Sequence, residues 1–224
     1  MKKRSFSWSL DLASLAEYVA RQLNALFLDG APIKPRALDA FLPKTIKRTE
    51  TCFQEIHKKY FYERGRPVFD HLNSDHYAMF LYLLSNTIYR SEGAGPLPTK
   101  LFLLNKALHS LDAYFAVQLP DIFLFVHPVG TVLGNARYKN YFAVYQNCTI
   151  GANEKGEYPV FSEGTALFSR ASVIGSCHLG PNTVVGANTF LLNTKVSGQT
   201  VVVGSYPNLK YFVNTQNVVD RLFR

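Results

Sequence analysis

The chain has 224 residues, of which 47% are hydrophobic, so it can bury a sizeable core as one domain or as two closely joined ones. Its formal charge of +8 is divided about equally between the two halves. No aromatic and basic platform of the RNA-binding kind accompanies it, which argues against a nucleic-acid partner. The apolar runs are too short to span a bilayer, and no apolar segment of a secretion signal follows the first residues. We therefore expect a cytoplasmic protein without a membrane span.

The sequence of the N-terminal half predicts helices. Apolar residues recur at helical spacing over four stretches, residues 12–27, 45–62, 74–90 and 99–108. We expect Ser74 and Thr99 to cap the last two helices at their N-termini. The helical pattern does not continue past Pro120, which places the end of a helical domain between about residues 110 and 125.

Beyond this boundary, apolar residues return at every sixth position between Val126 and Val203. The frame contains Val126, Val132, Tyr138, Val144 and Ile150, and then Phe161, Leu167, Val173, Leu179, Val185, Leu191 and Val203. Neither the helical period nor strict alternation gives this spacing. It predicts a stack of short strands around a three-sided prism, whose corners are turned by small residues.

The first part of the repeat carries two motifs of a known family. Residues 127–134 read His-Pro-Val-Gly-Thr-Val-Leu-Gly, and residues 145–151 read Tyr-Gln-Asn-Cys-Thr-Ile-Gly. They resemble the catalytic coil of the serine O-acetyltransferase family, whose pattern is His-x-x-Gly-x-Val-x-Gly followed by Gln-x-Val-Thr-Leu-Gly. The sequence Gly-Ser-Tyr-Pro-Asn-Leu-Lys at 204–210 resembles the family's Gly-x-Pro-Ala-Lys/Arg close. In motif, the likeness covers residues 112–210.

This resemblance implies an α+β fold. An all-helical domain over residues 1–110 would be followed by a left-handed parallel β-helix of hexapeptide repeats over residues 111–206, and residues 207–224 would form a C-terminal tail. The resemblance also implies a homotrimer. In the family the helical domain joins two trimers into a hexamer, and the sequence leaves trimer and hexamer both open.

The resemblance further implies an acetyl-CoA-dependent acetyltransferase that acts on a small-molecule acceptor. Members of the family transfer the acetyl group directly to a hydroxyl or an amine, with acetyl-CoA in the groove between neighbouring coils. Cys52, Cys148 and Cys177 lie far apart and no metal-ligand spacing is present, so we expect reduced cysteines and no metal.

His127 is the predicted general base, because an imidazole titrating near neutrality can remove the proton of an attacking alcohol. The family keeps an aspartate fifteen positions before its catalytic histidine, and that position is Asp112 here. Fifteen residues is nearly one circuit of a three-sided prism built from hexapeptides. We therefore expect Asp112 to lie beneath His127 and to orient its ring.

The residues expected to bind the acceptor depart from the family. The family has an aspartate where Val126 stands, and an Arg-His-Pro in the loop that interrupts the coil; here Glu157 and Tyr158 precede the proline. Lys155 is the remaining cation of that loop, and Asp75 is a candidate contact from the helical domain. Three alternatives are compatible with the sequence. The acceptor is serine, the acceptor is a sugar or nucleotide sugar of surface polysaccharide biosynthesis, or the protein is a non-catalytic scaffold.

For acetyl-CoA, the resemblance suggests small residues along the pantetheine arm and cations for the phosphates. Gly151 and Ala166 stand where the family makes backbone contacts, and Ala187 follows the next repeat glycine. The cations in or after the repeat are Arg170, Lys195 and Lys210, of which Lys210 matches the basic residue of the closing motif. His178 is interpreted as a structural corner residue.

Overall fold

The computed structural model describes residues 6–223. Its first half contains α1 (Leu12–Leu26), α2 (Leu42–Phe53), α3 (Ser74–Glu92) and α4 (Pro96–His109), with short 3-10 helices at Pro35–Ala37 and Lys59–Phe61. It also contains β1 (Ser7–Trp8), β2 (Tyr62–Glu63) and β3 (Arg66–Phe69), which form a small sheet of order β1-β3-β2. The expectation of an all-helical domain is therefore wrong in this detail. Arg64 and Gly65 have positive φ values of 49° and 75°, which is typical of the tight turn of a β-hairpin.

The predicted helices are present, with shifted ends. The helix expected over residues 45–62 begins at Leu42, because Pro43 is tolerated in a first turn, and it ends at Phe53. The helix expected from Thr99 begins at Pro96 for the same reason. Ser74 is not a cap. The side-chain oxygen of Asn73 instead accepts the backbone N–H groups of Asp75 and His76, at 3.0 and 3.3 Å.

Helix α3 is the centre of the N-terminal half, since every residue from Asp75 to Ile88 is buried. It packs against α2, α4 and the strand Phe123–Phe125 of the second half. Two of its polar side chains hold the connection between the halves: the Tyr82 hydroxyl donates to the Val117 carbonyl at 2.7 Å, and the Asn86 amide donates to the Phe115 carbonyl at 2.8 Å. The helix is therefore fixed relative to the strands that follow.

The second half is a coil of parallel strands with three faces. Face 1 contains β4 (Asp112–Ala113), β6 (Val132–Leu133), β9 (Thr149–Gly151), β12 (Ser172–Ile174) and β15 (Phe190–Leu192). Face 2 contains β7 (Arg137–Tyr138), β10 (Val160–Phe161), β13 (His178–Leu179) and β16 (Lys195–Val196). Face 3 contains β5 (Phe123–Phe125), β8 (Phe142–Val144), β11 (Ala166–Leu167), β14 (Val184–Val185) and β17 (Thr200–Ser205). From β5 onward, successive strands lie on faces 3, 1 and 2 in a repeating order, as the six-residue repeat predicts.

The interior of the coil follows the predicted frame through its middle, where the frame residues from Tyr138 to Leu191 are buried. At both ends the frame shifts by one position. Leu133 is buried while Val132 is 41% exposed, and Val202 is buried beside the partly exposed Val203. The shift arises because some turns between faces are one residue shorter than the repeat requires.

The C-terminal residues return along the coil. Strand β17 forms an antiparallel hairpin with β18 (Asn208–Val213), and α5 (Val218–Leu222) follows. The Val218 N–H donates to the Asn182 side chain at 2.8 Å, and the Leu222 carbonyl accepts the His57 N–H at 2.8 Å. One continuous cluster of buried apolar residues joins the two halves. Within residues 6–223, none of the helices has the length and apolarity needed to cross a membrane.

Candidate active site

His127 lies on the edge of the coil where face 3 turns into face 1. This edge, called the His127 edge, consists of residues 126–131, 145–148, 168–171 and 186–189. Backbone hydrogen bonds stack its corners directly, from Asn147 N–H to Val129 O, from Arg170 N–H to Gln146 O and from Asn188 N–H to Ser169 O. Residues far apart in sequence therefore form one continuous line along the coil.

The backbone of His127 adopts the left-handed region, with a φ of 48°. This conformation is uncommon for a residue with a side chain, and surrounding contacts must hold it. The contact here is a carboxylate, because the backbone N–H of His127 donates to Oδ1 of Asp75 at 3.0 Å. Of the His127 side chain, 70% is exposed. The first turn of α3 thus fixes the position of a histidine that faces solvent.

Asp75 is itself buried, with 2% of its side chain exposed, and its Oδ2 atom lies 3.7 Å from Nδ1 of His127. The hydroxyl of Tyr60 donates to the same Oδ2 atom at 3.2 Å. Burial raises the pKa of Asp75, while His127 and Tyr60 act in the opposite direction. Burial and the neighbouring Asp75 also raise the pKa of Tyr60, which keeps its hydroxyl protonated as a donor.

A groove of about 340 Å³ opens beside this pair, and it is lined by Tyr60, Leu72, Asn73, Ser74, Asp75 and His127. A groove of this size has room for a small acceptor. All the lining residues except His127 come from the N-terminal half. The groove therefore forms where the N-terminus of α3 meets the corner of the coil at His127.

The arrangement suits a general base. A carboxylate beside Nδ1 favours the tautomer with the proton on that atom, which leaves the lone pair of Nε2 available. The same carboxylate stabilises the cation that forms when Nε2 takes a proton. Distances of this kind are often long in a site without substrate and shorten in the reacting complex.

The expected pairing of Asp112 with His127 is not found. Strand β4 pairs with β6 so that Asp112 lies opposite Val132, and the carboxylate of Asp112 is 2.6 Å from Nζ of Lys106. The prediction fails because the chain turns through residues 114–122 between β4 and β5, which makes the first circuit longer than fifteen residues. Within residues 6–223, the carboxylate at ion-pair distance from His127 is that of Asp75.

The loop predicted to bind the acceptor lies on a different edge, between faces 1 and 2. Glu157 accepts from the side chain of Asn153 at 2.7 Å, and the Tyr158 ring packs so closely on Gly134 that a Cβ there would lie 2.9 Å from it. Lys155 is exposed, and its N–H donates to the Asn153 side chain at 3.0 Å. None of the three lines the groove beside His127. In a single chain, the structure brings Asp75 to His127 and leaves the loop elsewhere.

Some of the residues predicted to contact acetyl-CoA lie on the His127 edge, and the others lie elsewhere on the coil. Arg170 and Ala187 are exposed on the His127 edge. Ala166 is fully buried in face 3, so it offers no surface to a ligand, and the structure argues against that prediction. The remaining three lie outside the edge: Gly151 ends β9 on face 1, Lys195 is in β16 on face 2, and Lys210 is in β18.

Tyr60 is the residue of the site that sequence reasoning missed, because its spacing placed it on the apolar face of a predicted helix. In the structure Tyr60 lies in the short 3-10 helix Lys59–Phe61, and the sequence around it gives no functional signal beyond that apolar spacing. Cys52, Cys148 and Cys177 are buried free thiols, as expected. In the part of the chain that the structure describes, no group of three or more histidine, cysteine or acidic residues is placed to hold a metal ion.

No family model matches the chain. A curated relative, the serine acetyltransferase of Staphylococcus xylosus, is 23% identical over 137 residues. That match covers 56% of this chain and 60% of the relative, so the chain spans less than two thirds of the relative's length.

Solved structures of serine acetyltransferases match most of the chain. The Vibrio cholerae protein has a TM-score of 0.73 at 18% identity, with 93% of this chain and 83% of that chain covered. The Brucella abortus protein has a TM-score of 0.72 at 16% identity, covering 92% and 85%. A serine acetyltransferase in complex with CoA has a TM-score of 0.67 at 19% identity, covering 91% and 86%. The predicted resemblance to the serine O-acetyltransferase family is confirmed, and the chain has the fold of these serine acetyltransferases.

Proposed function

We propose that the protein is an acetyltransferase that moves the acetyl group of acetyl-CoA to the hydroxyl of a small acceptor, with His127 as general base. The observation that carries this proposal is the exposed imidazole of His127, held by the buried Asp75 at the mouth of a groove. A histidine that only turned a corner of the coil would not need a buried carboxylate on both its backbone and its ring.

In the proposed reaction, Nε2 of His127 takes the acceptor's hydroxyl proton while its oxygen attacks the thioester carbonyl carbon. The carbon–sulfur bond breaks, and the thiolate of CoA leaves with the proton that the imidazolium returns. Asp75 stabilises the imidazolium between these two events, in the role first expected of Asp112. Tyr60 keeps the Asp75 carboxylate turned toward the ring.

Acetyl-CoA as the donor is supported by the similar protein that was solved with CoA. Arg170 and Ala187 stand on the His127 edge, so we propose that the cofactor runs along it with its thioester at His127. Gly151, Lys195 and Lys210 would join this site only from a neighbouring copy of the chain. No metal ion enters the proposed reaction.

We also propose the finer features that the resemblance implies. The coil is left-handed. Residues 1–110 and 111–206 are two closely joined domains with a tail from 207, and the protein is a cytoplasmic homotrimer. In a trimer, the loop carrying Lys155, Glu157 and Tyr158 would meet the His127 edge of a neighbouring copy. A purely structural scaffold is disfavoured because it gives no reason for the pair of His127 and Asp75.

The proposal is tested by CoA release from acetyl-CoA in the presence of an acceptor panel, corrected for the rate without acceptor. We expect His127→Gln to lower turnover roughly 100-fold or more, as for loss of a general base. The matched control is His178→Gln, since His178 is an exposed histidine on face 2 of the same coil. If His127→Gln kept turnover within about threefold of the wild type, His127 would not be the base.

A further inference from the structure

The groove beside His127 contains no lysine or arginine among the residues that line it within residues 6–223. Its acid and base groups are the carboxylate of Asp75 and the imidazole of His127. The other polar groups are neutral: the Tyr60 phenol, the Asn73 amide and the Ser74 hydroxyl. A groove built in this way provides hydrogen bonds to hydroxyl groups and provides no cation for an anionic substrate.

A carboxylate on the acceptor would be repelled by this site. Asp75 is almost fully buried, so solvent screens its charge less than it screens a surface charge. A carboxylate bound within reach of His127 would lie close to that negative charge. Neutral hydroxyl groups and amines avoid this repulsion. A protonated amine would in addition be attracted by the negative charge of Asp75.

The apolar part of the lining suits a ring. Leu72 is 76% exposed at the lip of the groove, although an exposed leucine gains nothing from contact with water. The Tyr60 ring is partly buried on the same lining. Together they offer an apolar surface between the hydrogen-bonding groups, the usual make-up of a small-molecule site. The C–H face of a sugar ring would pack on that surface while its hydroxyl groups reach the polar side chains.

The loop of residues 152–159, if a neighbouring copy brought it to the groove, would not reverse this charge. The loop of residues 152–159 contains Glu154, Lys155 and Glu157, so it carries a net negative charge. The Glu157 carboxylate is hydrogen-bonded to Asn153, which holds it in place. If that loop completes the site in an assembly, it adds more negative than positive charge.

From these contacts we infer that the acceptor is a neutral or amine-bearing sugar without a carboxylate. The inference rests on the proposed acetyl transfer and names the acceptor class for the same groove. Serine fits this groove less well than a compound of the same size in which the carboxylate is replaced by a hydroxymethyl group.

Two matched pairs of acceptors test the inference in the CoA-release assay. The first pair is serine and serinol, and the second is glucuronate and glucose, with glucosamine added as the amine-bearing sugar. In both pairs we expect kcat/KM to be roughly tenfold or more higher for the compound without the carboxylate, with the sugars above serinol.

A variant of the lip provides an independent readout. Leu72→Arg places a cation on the groove, and we expect it to shift the kcat/KM ratio of serine to serinol toward serine by about tenfold. Leu28→Arg is the matched control, because Leu28 is 90% exposed and does not line the groove. The control should leave the ratio unchanged.

The outcomes separate the acceptor class from the transfer itself. Equal or higher kcat/KM for serine and glucuronate would overturn the inference and leave the proposed transfer in place. A rate with every acceptor equal to the rate without acceptor, while acetyl-CoA still binds, would contradict the proposed transfer, and the inference would fall with it. A serine-to-serinol ratio that Leu72→Arg and Leu28→Arg shift equally would also count against it.

Discussion

The two edges of the coil that carry predicted site residues differ in what the rest of the chain adds to them. At the His127 edge, the N-terminus of α3 supplies Asp75, Asn73 and Ser74, and a groove results. At the other edge, residues 152–159 are stabilised by their own hydrogen bonds and by the contact of Tyr158 with Gly134. A coil repeat gives similar corners, and the helical half makes one of them into a site.

Sequence separation is a poor guide to this site. Asp112 is closer to His127 in sequence than Asp75 is, yet Asp75 is the carboxylate that contacts it. The largest expected effect follows from this difference. Asp75→Asn should lower turnover roughly 100-fold, because the imidazolium loses its stabilising charge while the shape of the site is retained.

Asp112→Asn is the matched control for that variant. We expect it to keep turnover within about threefold, since its carboxylate forms an ion pair with Lys106 at a partly exposed position. Both variants are measured by CoA release under saturating acetyl-CoA. A larger loss for Asp112→Asn than for Asp75→Asn would mean that the working site differs from the arrangement described here.

We also expect the two edges to meet in an assembly, with the loop of one copy at the His127 edge of another. We expect Tyr158→Ala to lower turnover about tenfold, because Tyr158 of one copy would no longer contact the acceptor bound beside His127 of a neighbouring copy. Co-expressed with His127→Gln, it should give mixed oligomers that turn over faster than the mean of the two variants measured alone. A rate equal to that mean would show that each chain uses its own loop or none.

A smaller effect is expected for Tyr60, which acts through Asp75. Tyr60→Phe removes the hydroxyl that donates to Oδ2 of Asp75, and we expect kcat to fall about fivefold, which corresponds to roughly 1 kcal/mol. The KM for acetyl-CoA should not change. Tyr211→Phe is the control, because Tyr211 is 51% exposed on β18. A change in KM without a change in kcat would contradict this positioning role.

The last of these predictions concerns the packing behind the site. His76 is fully buried, its Nδ1 accepts the Asp70 N–H at 3.1 Å, and burial lowers its pKa from 6.5 to about 4. Because the folded pKa lies below the unfolded value, the stability it contributes is full above pH 6.5 and is lost as the pH falls toward 4. Between pH 7 and pH 5 the free energy of unfolding should drop by about 2 kcal/mol from this residue.

Urea unfolding at the two pH values measures this drop. In His76→Asn the amide oxygen can still accept the Asp70 N–H, and the side chain does not titrate, so the drop should shrink by about that amount. His178→Asn, at an exposed position on face 2, should leave the drop unchanged. An identical drop in wild type and His76→Asn would show that His76 does not carry it.

The coil was predictable because its period leaves few alternatives. Apolar residues at every sixth position place one side chain per strand in the interior, and the frame from Tyr138 to Leu191 is buried as expected. The frame fails at Val132 and Val203, where the turns differ in length by a residue. Local periodicity cannot reveal such shifts, because they depend on how each corner packs.

The site was only partly predictable. His127 was found from its motif, since the glycines around it recur at fixed offsets. Asp75 was a weaker candidate because its sequence context is that of an ordinary helix N-terminus, and Tyr60 gave no signal beyond its apolar spacing. Contacts between a helix cap and a coil corner arise from the docking of the two halves, and no local pattern encodes that docking.

The most direct test of Asp75 as the carboxylate that supports His127 is a double-mutant cycle between the two residues. It is read as kcat/KM in the CoA-release assay. If the two residues act as one unit, the variant carrying both His127→Gln and Asp75→Asn should be no slower than His127→Gln alone, within about threefold. If Asp75→Asn instead lowered kcat/KM by its full factor of about 100 even without His127, the two would act independently. In that case Asp75 would not be the carboxylate that supports the base.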